Sequence, residues 1–472
     1  MDADERVALS ASQRGIWAAQ RLFSAPAAFR AAEITWLPGP VDTAAFTAAV
    51  SRAFTETDAL RVRFHEEQGI PSQYVDTTRR LETTVVDEPH DDAAIRDLVR
   101  ASLDDPAATA VELSVELSTA SVLLRRTDGT WAWVFTADNI LLDGYSVTLF
   151  IRRVAEIYSA AVQDEPVPEA WFGRLADALP PPHDPVGPEA GAVEYWRRLL
   201  DVDVAQERSS TVAAELFSFS YRPVRLPTAD GVFDRLRVFS RSVRANWTDT
   251  LIALWGLYTS FAEQRSDIAV RVPFMMRDTP GLLRTPNAMS RVLPVVASIG
   301  PSRTLAELMK AVGRQMQQAK AHSAVEDHHI ARSWPGSDLS YFLLPSINIK
   351  LFEYVARFDQ VTGTVETVNP GQIGKLDLSV YRDPVSGLRL ELAGHESITS
   401  VADVERHAAA FALFLERALG AGPDTTLHEL AETALPVRNA PAGVGRAPEV
   451  AADVSVDGLL RRQIAATPDA TA

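Results

Sequence analysis

The chain has 472 residues, no cysteine and a net charge of −16. Its length predicts two to three domains at ~150 residues each, and an apolar fraction of 46% is enough for large cores. The negative charge argues against nucleic acid or an anionic membrane as partner, and the missing thiols exclude disulfide and thiolate chemistry.

Taken in order, Leu9-Ser10-Ala-Ser12-Gln13-Arg14-Gly15-Ile16-Trp17 opens an amphipathic helix over 9–23, with Ser10 as N-cap. A strand is expected at 31–37, then a helix capped by Asp42 with Phe46, Val50 and Phe54 on one face. Alternation from Leu60 to Phe64 predicts a strand with Arg61 and Arg63 on the face opposite Leu60, Val62 and Phe64. Residues 81–118 are acidic and show no clear period. Strands at 120–126 and 131–137 flank Thr127-Asp128-Gly129, which predicts a hairpin. The second strand runs into Asp138-Asn139-Ile-Leu-Leu-Asp143-Gly144-Tyr145-Ser146, a polar turn before a helix whose apolar stripe includes Val147, Phe150, Ile151, Val154 and Tyr158. Three polar side chains against apolar walls must hydrogen-bond one another or a ligand. Asn139 and Asp138, as strand neighbours, point to opposite faces.

Prolines crowd 161–192 and mark a crossover. Beyond it, Glu194-Tyr-Trp196 starts a helix, and Thr248 or Asp249 caps an apolar helix that runs to Phe261. Strands follow at Ile268–Phe274 and Val292–Ser298. Thr304 with Glu307 forms a capping box. Further strands are expected at 346–352, 376–381 and 388–393, and a last helix through Val404, Phe411 and Leu419 stops at Gly420. From residue 421 the chain turns rich in Pro, Ala and Gly, as a linker does. His328-His329 are the only adjacent histidines, and no third ligand stands at metal-site spacing, so a polar loop is expected there and no metal. The acidic start is unlike a secretory signal, and no apolar run reaches the ~20 residues that span a bilayer. Together with the absent cysteines this predicts a cytoplasmic protein without a membrane segment.

Several of these stretches, in this order, resemble the condensation-domain family of nonribosomal peptide synthetases, and within it the first condensation domain of siderophore synthetases. They are Gln13-Arg-Gly-Ile-Trp17, Asp143-Gly-Tyr-Ser146, Met275-Met-Arg277, Val292-Leu-Pro294 and Asn348-Ile-Lys-Leu-Phe352. The resemblance implies an α/β fold of two chloramphenicol-acetyltransferase-like lobes in a V around a central tunnel. It divides the chain into an N-terminal lobe at 1–170, a crossover at 171–192, a C-terminal lobe at 193–422 and a linker at 423–453. Residues 454–472, ending Thr467-Pro468-Asp469-Ala470, resemble the start of an adenylation domain, a partner in cis. Carrier proteins are the implied further partners. Their phosphopantetheine arms enter as transient guests, and no cofactor is bound permanently.

The family's core motif is two histidines, three residues, then Asp-Gly. Here Asp138 and Asn139 stand at the histidine positions, while Asp143 and Gly144 are kept. The resemblance makes Asn139 the counterpart of the catalytic or substrate-positioning histidine. It makes Asp143 a structural residue paired with an arginine, for which Arg277 is the candidate, with Ser146 and Tyr145 in support. Arg291 stands where an Asn is usual, and the late Arg-Asp-x-x-Arg element is not recognisable. An Asn hydrogen-bonds but has no useful basicity, whereas imidazole suits base work near neutral pH. The expected function is therefore a condensation-type domain that forms amides poorly or not at all. It would act as a docking platform for a carrier protein or for a trans-acting oxygenase or hydroxylase, in antibiotic or siderophore biosynthesis. The alternative is a working condensation domain using a non-histidine site, since positioning alone lowers barriers. A heterocyclisation variant belongs to that alternative, because Asp138, Asp143 and Ser146 fit its spacing although its late Thr-Ser-x-x-Asp element is missing. An unrelated acyltransferase or a structural scaffold is the third possibility.

Overall fold

The structure is a computed structural model, and it describes residues 6–22, 26–104, 118–181, 190–200, 222–325, 327–334, 341–352, 355–371, 373–383, 386–395 and 398–434. Two six-stranded sheets organise it. The first runs, edge to edge, Val355–Phe358, Val361–Asn369, Arg30–Leu37, Trp131–Asp138, Thr119–Arg126 and Thr83–His90. The second runs Arg291–Ser298, Asp267–Phe274, Ser346–Lys350, Asp377–Asp383, Gly387–Ala393 and Val224–Arg225. A small third sheet joins Val7–Ala8 to the hairpin of Val62–Glu67 and Ile70–Val75.

Both faces of the first sheet are covered. Helices Thr43–Glu56 and Gly144–Val162 pack Phe46, Phe150 and Tyr158 against Trp133 and Phe135. The Phe135 and Phe150 rings lie 4.7 Å apart, and Phe46 meets Trp133 edge-on at 5.3 Å. Burying each such side chain contributes roughly 1.5–3 kcal/mol. The opposite face receives Ile95, Val99 and Leu103 from the helix Asp92–Asp104. Over the second sheet lie the helices Trp247–Ala262, Leu305–Ala321 and Val401–Gly420, which close a separate core around Trp255 and Phe411.

Several local readings are met, and others are corrected. Asp42 and Ser10 accept from the backbone amides of Ala45 and Gln13, and Thr304 and Glu307 form their capping box. Arg61 is not in a strand: it lies in a 3-10 turn, Asp58–Arg61, bound to Asp58. The apolar helix begins at Trp247, after Asn246, so neither Thr248 nor Asp249 caps it. Gly420 is the last residue of its helix, and Leu427–Ala434, inside the expected linker, forms one more. His328 and His329 sit on a short helix, Asp327–Arg332, and among the described residues no cluster could hold a metal. The expected adenylation-like segment at 454–472 lies outside the described residues.

The largest departure concerns the lobes. Val355–Phe358 and Val361–Asn369 fall in the span read as the C-terminal lobe, yet Val361–Asn369 pairs antiparallel with Arg30–Leu37 and extends the first sheet. The boundary drawn from the proline-rich crossover therefore does not hold for this segment. Alternation identifies a strand but carries no information about which sheet it joins.

Candidate functional site

The motif turn lies where the strand Trp131–Asp138 ends and the helix Gly144–Val162 begins. Asp143 caps that helix, its Oδ1 accepting from Ser146 N at 2.9 Å. Arg277, from the second half of the chain, donates to Asp143 Oδ2 at 2.7 Å and to Oδ1 at 3.1 Å. The amides of Met289 and Ser290 and the Ser290 hydroxyl also donate to Oδ2, at 3.1, 3.0 and 2.9 Å. Burial disfavours the Asp143 carboxylate, but the Arg277 charge and these donors more than offset that and hold its pKa below the ordinary value. Ser146 Oγ donates to Asn287 O and accepts from Asn287 N and Arg277 Nη2. Tyr145 donates to Leu283 O at 3.0 Å and lies under the Arg277 guanidinium, 5.0 Å from ring centroid to Cζ. The structure thus brings Asp143, Ser146, Tyr145 and Arg277 into one knot that fastens the segment 275–290 to the motif helix. Gly144 is the first residue of that helix and touches the Phe352 ring.

Asp138 and Asn139 face different surroundings. Asp138 is buried, and Gln20 Nε2 donates to its two oxygens at 3.0 and 2.8 Å. Ile140 N donates to Oδ1 at 2.9 Å. Burial pushes the Asp138 carboxyl up to about 6, against the pull of the Ile140 amide, the Arg30 charge and Gln20. Asn139 is half-buried, and its amide donates to Phe29 O at 2.6 Å. Its carboxamide lies against Gly371, at the turn that follows Val361–Asn369, where a Cβ would collide with Asn139 Nδ2. Gly371 also holds φ at 95°, a conformation glycine adopts without steric cost. Position 139 therefore faces a wall supplied by the second half of the chain.

Gln20, Arg30 and Gly371 were not anticipated. Gln20 had a signal: it stands seven residues after Gln13, two turns on the same helix face. Gln13 is fully buried and donates to Ile140 O at 2.9 Å, so the first helix grips the motif turn at two points. Asn369-Pro370-Gly371 reads as a turn, but nothing in its sequence places it over residue 139.

Comparison with known proteins fits this geometry. The sequence pattern of the condensation domain matches residues 3–429. The chain belongs to the condensation-domain family. It is 29% identical over 442 residues to an isonitrile lipopeptide synthase of Streptomyces coeruleorubidus, covering 91% of this chain and 29% of that protein. It is 26% identical over 488 residues to enterobactin synthase component F of Escherichia coli K12, covering 99% of this chain and 36% of that protein. The chain thus spans about a third or less of these relatives' lengths. In fold it is similar to the first condensation domain of the calcium-dependent antibiotic synthetase, with a TM-score of 0.74 at 23% identity over 92% of this chain and 100% of that one. The starter condensation domain of rhizomide synthetase, in complex with C8-CoA, gives 0.72 at 22% over 90% and 97%. The chain is a condensation domain of the nonribosomal peptide synthetase type, with the α/β, acetyltransferase-like fold of that family. Among the described residues no helix is long and apolar enough to cross a membrane.

Proposed function

We propose that this condensation domain receives carrier-borne thioesters but forms amides poorly, and serves as a docking platform within its assembly line. The observation that carries the reading is the lack of a free proton acceptor at the motif. Asn139 offers a carboxamide with no useful basicity. The Asp143 carboxylate is saturated by Arg277 and the amides around it. Carrier proteins, an adjoining adenylation domain and a trans-acting oxygenase or hydroxylase are the partners this reading needs, and phosphopantetheine arms are its transient guests. The second reading is a working domain that uses Asp138. It is favoured by one feature, a carboxyl pushed up to about 6, close to the range where a general base operates. Gln20 and Ile140 occupy both of its oxygens, and that weighs against it.

The experiment loads donor and acceptor carrier proteins and follows condensed product by mass spectrometry. The platform reading expects little product from the parent and from Asn139→Ala, more from Asn139→His, and carrier binding in all three. Efficient product from the parent, lost on Asn139→Ala, would refute it. Loss on Asp138→Asn alone would establish the second reading, and a ring-containing product would indicate heterocyclisation.

A further inference from the structure

Between the two sheets lies a cleft of about 400 Å³. Its floor is the stretch Thr364, Val365, Glu366 and Thr367, and its far wall carries Tyr381, Arg389 and Glu391 of the second sheet. The short strand Val355–Phe358 pairs only with residues 361–364, so among the described residues no strand covers this edge of 365–368. Phe358 and Val361 close a two-residue turn. Peptide groups alternate in direction along an antiparallel strand. Those of Val361, Gly363, Val365 and Thr367 therefore point to this side, and the last two point into the cleft.

The charges of the cleft are already paired. Arg96 binds Glu366 at 2.7 Å, Arg126 binds Asp92 at 2.8 Å and Arg389 binds Glu391 at 3.1 Å. A charged ligand would find no counter-ion to spare. An alkyl chain would displace water from the strand edge and leave its peptide groups unpaired, which is costly. A neutral extended chain with its own amides and carbonyls satisfies that edge. The edge leads to the motif: Thr367 is four residues before Gly371, about 13 Å of extended chain, and Gly371 lies on Asn139.

We propose that the open edge of Val361–Asn369 binds the peptidyl part of a carrier-borne thioester as an added β-strand. The peptide runs parallel to Val361–Asn369, with its thioester end at Asn139 and about three residues in the cleft. This rests on the reading of the domain as a receiver of carrier-borne thioesters and specifies the class of acyl group it holds.

The test uses the full chain and three probes in titration calorimetry: pantetheine, pantetheine bearing an octanoyl group, and pantetheine bearing a tripeptide through a non-hydrolysable thioether. The tripeptidyl probe is expected to bind at least about tenfold tighter than the octanoyl probe, because two or three backbone hydrogen bonds form. N-methylation of the peptide nitrogens should abolish the gain with no change to the protein. Val365→Pro, which removes one N–H from the open edge, should reduce it as well. Equal affinity for tripeptidyl and octanoyl probes, or a gain that survives N-methylation, would overturn the proposal. Carrier-protein binding, measured without any acyl group, reports separately on the platform reading.

Discussion

Removing the Asp143 carboxylate should unfasten the two halves of the molecule. In Asp143→Ala the Arg277 side chain, fully buried, loses its counter-charge, and the amides of Met289 and Ser290 lose their acceptor. Breaking a buried pair from one side costs about 3–5 kcal/mol, and the lost helix cap adds about 1. Spread over an unfolding entropy near 1 kcal/mol/K for a chain this long, that lowers Tm by about 4–6 °C. Arg277→Met should cost less, because Asp143 keeps its bonds to Ser146, Met289 and Ser290. The assay is thermal and urea unfolding of both variants and the double variant. The double variant should lie well short of the sum. The pH dependence has a fixed sign: the Asp143 pKa is lowered by folding, so its contribution is present above the ordinary carboxylate value and disappears as pH falls through the folded value. Additive costs, or a loss below about 1 kcal/mol for Asp143→Ala, would refute the fastening argument.

Glu33 is buried with Thr367 Oγ1 donating to it at 3.1 Å, and burial pushes it up to about 7 despite Lys350 and Thr367. A raised acid destabilises the folded state as pH rises, so Glu33→Gln should gain on the parent between pH 4.5 and 7 and hold a constant advantage of about 3 kcal/mol above that, read by urea titration at each pH. In Gln20→Ala, Asp138 loses two donated contacts to its ionised form, so its titration midpoint should move up from about 6, as followed by carbon-13 resonances of labelled aspartate. An unchanged midpoint would mean Gln20 does not hold the carboxylate. Gly371→Ala forces an alanine to φ near 95° and its Cβ into Asn139, so a loss of at least ~1–2 kcal/mol and a displaced Asn139 are expected in a melt and a structure of the variant.

Elements with a strong local pattern were legible in the sequence. The hairpin around Thr127-Asp128-Gly129, the Asp42 cap and the Thr304 capping box each depend on neighbours a few residues away. The segments missed owe their structure to distant partners. Thr83–His90 is mostly exposed and forms a strand because it lies parallel to Thr119–Arg126. Val361–Asn369 joins a sheet whose next strand is more than 300 residues away in the chain. The site divides in the same way. Asp143 and Ser146 can be placed from the turn and helix start alone, whereas Gly371 acquires its meaning only where the second half of the chain crosses over residue 139.

The motif separates two jobs that its compact sequence conceals. Asp143, Ser146 and Arg277 hold the segment 275–290 against the helix start, and none of their bonds involves the side chains of Asp138 or Asn139. Asp138 is turned toward the first helix, and Asn139 toward the turn at Gly371. Substitution at the two histidine positions therefore leaves the fastening intact, because the fastening begins one turn later along the chain. A domain built this way can lose an imidazole and still keep its halves aligned, the strand edge at 364–367 open and its partners' surfaces in place. That is the physical condition a docking platform requires, and it explains how Asp143 and Gly144 persist in a chain whose neighbouring residues have changed.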